Sequence, residues 1–592
     1  MKVSRTQLAL IAVAIIAVSI GGYMYYDNTQ KEARKAERNQ LWQTWSRTLY
    51  VGSTQGSLHP GIDLDQDWFG YFGRYTRAGK LYWIDPNSPD VKDYSPYMAE
   101  SWELKRNAAG ESYIEWKLKP GLKFPDGTDA DANAVKYSWN YQQEVLPKRT
   151  KNGAPRQYFL DVSVKRVECP DKYTVWQFLP DELEEFLPLA FVSTQALSYG
   201  GVVSPESTDK YAQENSPLTD FAKQVGWGPL LLSTFSGSDQ YTLVPWKDFP
   251  VNPLGGYKGP TKVTKLDKIV VTKYGDAASM RMALESGSVD IVGGKLNRAD
   301  YKDLKSNTNV KTDEAPGLGY CQVLRLNYNF PPLNNTLVRR AINLVVQPEE
   351  IVDKVLYGTG TVANSVVRPF QPYYLPVFEA MRKRPIADRI TEAKQLLAQA
   401  GYANGFETDL YYRESDLTRD PSTIIQAQLS KINIKVNIKV LESAAYLDGR
   451  NNGRFPMCWR GWTLDYNDPD SELWYQLYVK YGKDAPTTAS ATKVYGWNNV
   501  NNTEISKALE QGKKLYDPLG DPPERKIVYE WIQQQTYDLA IVLPVYYESM
   551  YEARRTWAEG YVMWKSIDFT TQGIWNAYKT IPTDWETRLP PS

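Results

Sequence analysis

A 592-residue chain with one histidine, His59, has little room for histidine chemistry. A Ser-His-Asp triad would have to use His59 itself, no GxSxG is present, and most imidazole metal sites are excluded. Before Pro60, His59 is expected to be a turn residue. Cysteine is nearly as scarce. Cys169, Cys321 and Cys458 lie far apart with no CxxC, so no zinc or redox motif follows. One pair could bridge, and the spacing leaves open which. There is no GxxxxGK[ST] loop to cradle a phosphate. Surplus charge is missing too: 69 basic residues balance 69 acidic ones. A nucleic-acid partner usually demands a basic excess, so none is expected. No internal repeat and no low-complexity tract is found.

What is present is a globular composition, 42% hydrophobic and 23% charged, long enough for about three domains. Aromatics are abundant, with 19 Trp, 42 Tyr and 16 Phe. Large cores account for many of them. A cleft lined with rings, for sugars or for varied side chains, is the functional alternative. Residues 8–26, LALIAVAIIAVSIGGYMYY, carry no charge and follow Lys2 and Arg5. That length is about enough to cross a bilayer, and the basic flank favours an internal N-terminus. Residues 1–30 are therefore expected to be a signal or transmembrane anchor; a cleaved signal peptide is the rival. No cysteine follows, so a lipoprotein anchor is excluded. Residues 31–46, KEARKAERNQLWQTWS, read as a charged linker helix.

Further on, residues 118–139, LKPGLKFPDGTDADANAVKYSW, pass from strand to turn to helix. Ile114, Trp116 and Leu118 alternate as on a half-buried strand. Pro125 and Gly127 set the turn. Asp129 or Asp131 is expected to cap a helix starting near Ala132, with Val135 and Trp139 on its buried face. GWGPL, residues 226–230, reads as a tight turn. A helix is expected to end at Gly287, and two helices to be separated by Pro348. IVLPVYYESMY, residues 541–551, reads as one strand. Strands and helices alternate through much of the chain, so an α/β fold is expected.

The segments MAESWELKRNAAGESYIEWKLKPGLKFPDGTDADANAVKYSW, GWGPL, DAASMRMALESGSVDIV, LNYNFPPLNNTLVRRAINLVV, AKQLLAQAGYANGFE and GWTLDYNDPDSELW occur in one order. In that order the chain resembles the family 5 extracellular solute-binding proteins of ABC importers, the oligopeptide- and dipeptide-binding group. The resemblance runs over residues 47–565. It implies a two-lobed, periplasmic-binding-protein-like α/β fold of type II, with an extra domain inserted in the N-terminal lobe. By likeness, lobe I comprises residues 47–80, 223–319 and 545–592. The inserted subdomain spans residues 81–222, and lobe II spans residues 320–544. The strand–turn–helix joint is then a structural signature that needs no catalytic residue. The family's lipobox cysteine is missing, and its Gly-Thr-Gly-Pro-Tyr turn has become GWGPL.

The resemblance also implies a site. In peptide-binding members an aspartate of the GWTLDYNDPDS motif receives the ligand's α-ammonium, and the matching position is Asp465. A carboxylate in a closed, water-poor cleft pairs strongly with a cation. A helix cap or a pair with a nearby arginine is the structural alternative for Asp465. Trp462, Tyr466 and Trp227 are expected as pocket walls, Arg460 and Arg325 as receivers of a carboxylate end, and Tyr320 and Tyr547 at the hinges. The expected role is ligand capture and delivery to ABC permease subunits, with no catalysis and no cofactor or metal. The ligand is a short peptide, or an oligosaccharide stacked on Trp and Tyr. A cell-surface structural protein reusing the fold is the third reading. Asp468 and Asp470 invite a glycosidase thought, but Asp-Pro-Asp more often marks a turn.

Overall fold

The computed structural model describes residues 5–53, 79–84, 94–145, 164–179, 201–221, 223–236, 239–250, 262–292, 296–464, 467–478, 503–516, 521–561, 574–583, 585–586 and 590. His59 lies outside them. The first element, α1 (Arg5–Ser46), is one helix of 42 residues, unbroken at the boundary expected near residue 30. No proline interrupts it, and its second half is rich in Lys, Glu, Arg, Ala and Gln, strong helix formers. The side chains of residues 5–13, 15–17 and 21 lie outside the described residues. Among those described, no helix is long and apolar enough to cross a membrane. The last turn of α1 is docked, not a free stalk. Trp42 and Trp45 are buried and meet edge to face at 5.0 Å. The Trp42 indole donates to the Trp585 carbonyl (3.1 Å), and the Lys579 ammonium sits over the Trp45 ring.

After α1 the chain enters lobe I with β1 (Thr48–Ser53). It then builds the insert: β2 (Ala99–Arg106), β3 (Ser112–Leu118), α2 (Ala132–Glu144), β4 (Arg166–Asp171) and β5 (Thr174–Phe178). Ile114, Trp116 and Leu118 of β3 are buried. Gly127 turns the chain at φ +87°, a conformation glycine adopts without strain. Asp131 caps α2 by accepting from the Asn133 and Ala134 amides. Asp129 does not cap; its carboxylate pairs with Lys123 and Lys172. Lobe I resumes with β6 (Leu230–Phe235), β7 (Gln240–Pro245), β8 (Lys268–Lys273), β9 (Ile291–Val292), α3 (Arg298–Leu304) and β10 (Val310–Ala315).

The chain then crosses to lobe II, whose strands are β11 (Cys321–Leu326), β12 (Gly360–Val362), β13 (Phe406–Arg413), β14 (Ile434–Leu441), β15 (Met457–Trp462) and β16 (Val542–Glu548). It returns with β17 (Met550–Arg555). Among the described residues the lobe I sheet runs β10-β17-β9-β1-β8-β7-β6. The lobe II sheet runs β12-β16-β11-β15-β13-β14, and the insert sheet β2-β3-β5-β4. Residues 541–551 are therefore not one strand. They divide at Ser549 between the two lobes' sheets, so the return comes after residue 548 and not at 545.

Burial separates the lobes. Insert and lobe I share one apolar cluster, joining Trp116, Val135 and Trp139 to Leu49, Val51 and Ile269. Lobe II has its own, around Leu324, Ile342, Leu410, Ile434 and Trp459. Two cores joined by only two chain crossings can change their mutual orientation without breaking either core. The three cysteines are free thiols.

Candidate functional site at the lobe crossings

The two crossing segments are held to each other by backbone. The Gly319 amide donates to the Glu548 carbonyl (2.9 Å), and the Glu548 amide to the Tyr320 carbonyl (2.8 Å). Glycine is required at 319: a Cβ there would lie 2.6 Å from Glu548 Cβ and 2.9 Å from its carbonyl oxygen. The Glu548 carboxylate is buried at this junction. It accepts from Gln322 Nε2 (2.9 Å) and pairs with Arg298 of α3 in lobe I (3.1 Å). Burial pushes its carboxyl pKa up, and Arg298 opposes the shift.

Arg368 ties this junction to the end of β15. Its Nη2 donates to the Gly319 carbonyl (2.8 Å) and to the Trp462 carbonyl (2.9 Å). Its Nη1 pairs with Glu472 of α4 (Pro469–Leu477), both side chains fully buried. The start of α4 is fixed as firmly. Asp468 caps it by accepting from the Asp470 amide (2.9 Å) and pairs with Arg525 (2.8 Å). Gln371 donates to the Asp468 carbonyl (2.9 Å), and Asp470 pairs with Lys513 (3.4 Å). Asp-Pro-Asp is thus a helix start whose carboxylates face cations of lobe II.

Asp465 and Tyr466, between these two clamped ends, lie outside the described residues. Their flanks are described. Trp462 is half-buried at the end of β15, and Tyr320 is 41% exposed beside the crossing. Arg460 is buried on β15 with its Cζ 5.2 Å from the Trp462 ring centroid.

Three other candidates have structural positions. Trp227 is no pocket wall: it is 1% exposed in the lobe I core, its ring 4.9 Å from Tyr97 and 5.2 Å from Phe249. Tyr547 is at the crossing but fully buried, its hydroxyl 2.7 Å from both the Ser365 and Val367 carbonyl oxygens. Arg325 is buried and donates to Gln476 Oε1 of α4 (2.7 Å). Burial pushes its pKa down to about 9. These two hold lobe II together. Sequence reasoning missed Arg298, Arg368, Glu472 and Glu548. The Arg368–Glu472 pair joins residues 104 positions apart, and no local pattern marks it.

Two cores and two paired crossings define a two-lobed α/β protein. Residues 93–484 match the family described as bacterial extracellular solute-binding proteins, family 5. The chain belongs to that family. It is 26% identical over 489 residues to heme-binding protein A of Haemophilus influenzae, covering 79% of this chain and 82% of that one. It is 26% identical over 482 residues to a dipeptide-binding protein of Pseudomonas aeruginosa, covering 77% and 82%. The fold matches the periplasmic binding protein DppA of Helicobacter pylori in complex with peptide STSA. There the TM-score is 0.65 at 23% identity, over 90% of this chain and 98% of that one.

Proposed function

We propose that this protein is the extracytoplasmic substrate-binding component of an ABC import system, and that it captures short peptides between its two lobes. Family membership over residues 93–484 carries this reading. Relatives named for dipeptide binding, and the fold shared with a protein seen holding a peptide, support the ligand class. The role is binding, with no catalytic step. Its mechanism is lobe closure: contacts made only in the closed state shift the population toward it. In this reading Asp465 receives the ligand's α-ammonium, while Trp462, Tyr466 and Tyr320 wall the pocket. The peptide backbone pairs with main-chain groups as an added strand does, and the closed complex docks on the permease subunits. Residues 8–26, free of charge after Lys2 and Arg5, tether the body to the outer face of the membrane.

Native mass spectrometry on the chain, purified without denaturation, tests the ligand class. Small adducts that fragment as peptides and vanish in Asp465→Ala are expected. Adducts spaced by hexose units would replace the peptide with an oligosaccharide and leave Asp465 a structural role. A protein that carries nothing and ignores added peptides and sugars would favour a surface structural role instead.

A further inference from the structure

Helix α1 meets the body along one face, and for longer than its last turn. Lys35, Arg38, Trp42 and Trp45 follow one another at spacings of three, four and three residues, a single stripe on a helix. Each touches the C-terminal segment. Lys35 pairs with the Glu586 carboxylate (2.9 Å), and the Arg38 guanidinium donates to the Glu586 carbonyl. The Trp42 indole donates to the Trp585 carbonyl, and the Lys579 ammonium lies 3.6 Å from the Trp45 ring centroid. Lys579 is fixed in turn. It is fully buried and pairs with Asp290 of lobe I (3.0 Å), which is fully buried too. Asp290 also accepts from the Tyr50 amide (2.8 Å) and the Trp557 indole (2.7 Å). Trp557 packs edge to face against Trp45, 5.3 Å between centroids.

There is no slack where α1 ends. Only Arg47 separates it from β1. The Asp267 amide donates to the Arg47 carbonyl (2.8 Å), and Arg47 Nε donates to the Asp267 carboxylate (2.6 Å). Residues 27–46 contain neither proline nor glycine, the common sites of a helix kink. Towards the other end the surface changes character. Val18, Ile20, Tyr23, Met24, Tyr25 and Tyr26 are each at least 54% exposed. At 3.6 residues per turn they point to all sides of the helix. Apolar side chains on every side need a non-aqueous surrounding on every side. Tyrosines gather where a bilayer meets water. The Asp27–Lys31 ion pair follows directly (2.6 Å), so the boundary falls near Tyr26.

We infer that α1 is a rigid strut, locked to lobe I by the C-terminal segment, and that it seats lobe I at a fixed height and tilt on a lipid bilayer. This deepens the tether reading and rests on it. At 1.5 Å per residue, Tyr26 lies about 14 Å along the helix from Lys35 and about 24 Å from Trp42. Because α1 and lobe I move as one body, closure displaces lobe II alone relative to the membrane.

Distances between spin labels on the full chain in lipid nanodiscs test it. The labels sit at Ala33→Cys, exposed on α1, and at Met282→Cys, exposed on lobe I, in a Cys169→Ser background; Cys321 and Cys458 are buried. Position 33 is about 20 Å from the end of α1, so a swing of about 30° moves it by about 10 Å. A single narrow distance is expected. A chain ending at Thr583, without Trp585 and Glu586, should broaden it by about 10 Å. If that chain does not fold, Trp42→Ala in the full chain should broaden it likewise. A distribution already that broad before either change, or one that neither change broadens, overturns the strut. Flotation with vesicles of phosphatidylcholine and phosphatidylglycerol judges the tether separately. A chain that stays in the dense layer yet keeps the narrow distance removes the bilayer, and with it the seat, while leaving peptide capture standing.

Discussion

Replacing Arg368 by methionine separates a buried ion pair from an ornamental one. Arg368 and Glu472 are both fully buried, and the guanidinium also holds the carbonyls of Gly319 and Trp462. Methionine keeps most of the volume and removes the charge. Glu472 then stays in the interior of lobe II without its cation. Removing one partner of such a pair costs about 3–5 kcal/mol, because the remaining charge keeps its desolvation penalty. For a unit of about 150–250 residues, 1 kcal/mol shifts Tm by about 2–4 °C, so the expected fall is about 6–20 °C. Differential scanning calorimetry of the ligand-free protein reads it. The double variant Arg368→Met, Glu472→Leu should recover most of the loss, since an apolar pair of similar volume is often no worse than a buried ion pair. Ligand affinity should stay low in the double variant, because the Gly319 and Trp462 carbonyls have lost their shared donor. A fall under about 1 kcal/mol in the single variant, the size of a surface pair, would refute the reasoning.

Two further outcomes follow from the geometry. Gly319→Ala drives a Cβ to 2.6 Å from Glu548 Cβ, so it should lower stability by about 1–3 kcal/mol and weaken ligand binding by forcing the crossings apart. Denaturant unfolding that matches wild type would show that the crossings are not this close. Asp129, hydrogen-bonded by Lys123 and then Lys172, has its pKa pulled from 3.8 to about 2. The unfolded chain binds the proton first, so stability present above about pH 4 is lost as pH falls toward 2. Asp129→Asn should flatten that part of the stability curve, and an unchanged slope would argue against the two lysine contacts.

Local chemistry was readable along the chain wherever neighbours in sequence are neighbours in space. The FPDG turn, the buried alternation of Ile114, Trp116 and Leu118, and the helix ending at Gly287 (φ +85°) all rest on contacts within a few residues. The two helices around Pro348 are of the same kind, with Pro348 in the first turn of the second. Between Asp129 and Asp131 the pattern could not choose. Lys172, 43 residues away, decided by claiming Asp129.

The candidate site was readable as a motif and not as an assembly. Trp227 in a glycine-rich turn looks the same whether it faces a pocket or a core; Tyr97, 130 residues earlier, places it in the core. Residues 541–551 have the apolar content of one strand, and only pairing with β11 and β12 on one side of Ser549 and with β9 and β10 on the other splits them between lobes. β11 is buried along its whole length, so its polar residues Gln322 and Arg325 carry no sign of an exposed face.

By itself, then, the order of residues determined the α/β alternation, the turns and caps, the family motifs and the exclusion of most histidine chemistry, because these depend on residue type and short spacing. Tertiary structure alone decided which arginines are spent. Arg325 and Arg460 are equivalent in the sequence, but strand register and the approach of α4 give Gln476 to Arg325 and leave Arg460 buried beside Trp462. A charge's partner is set by distance in space, which no local spacing encodes.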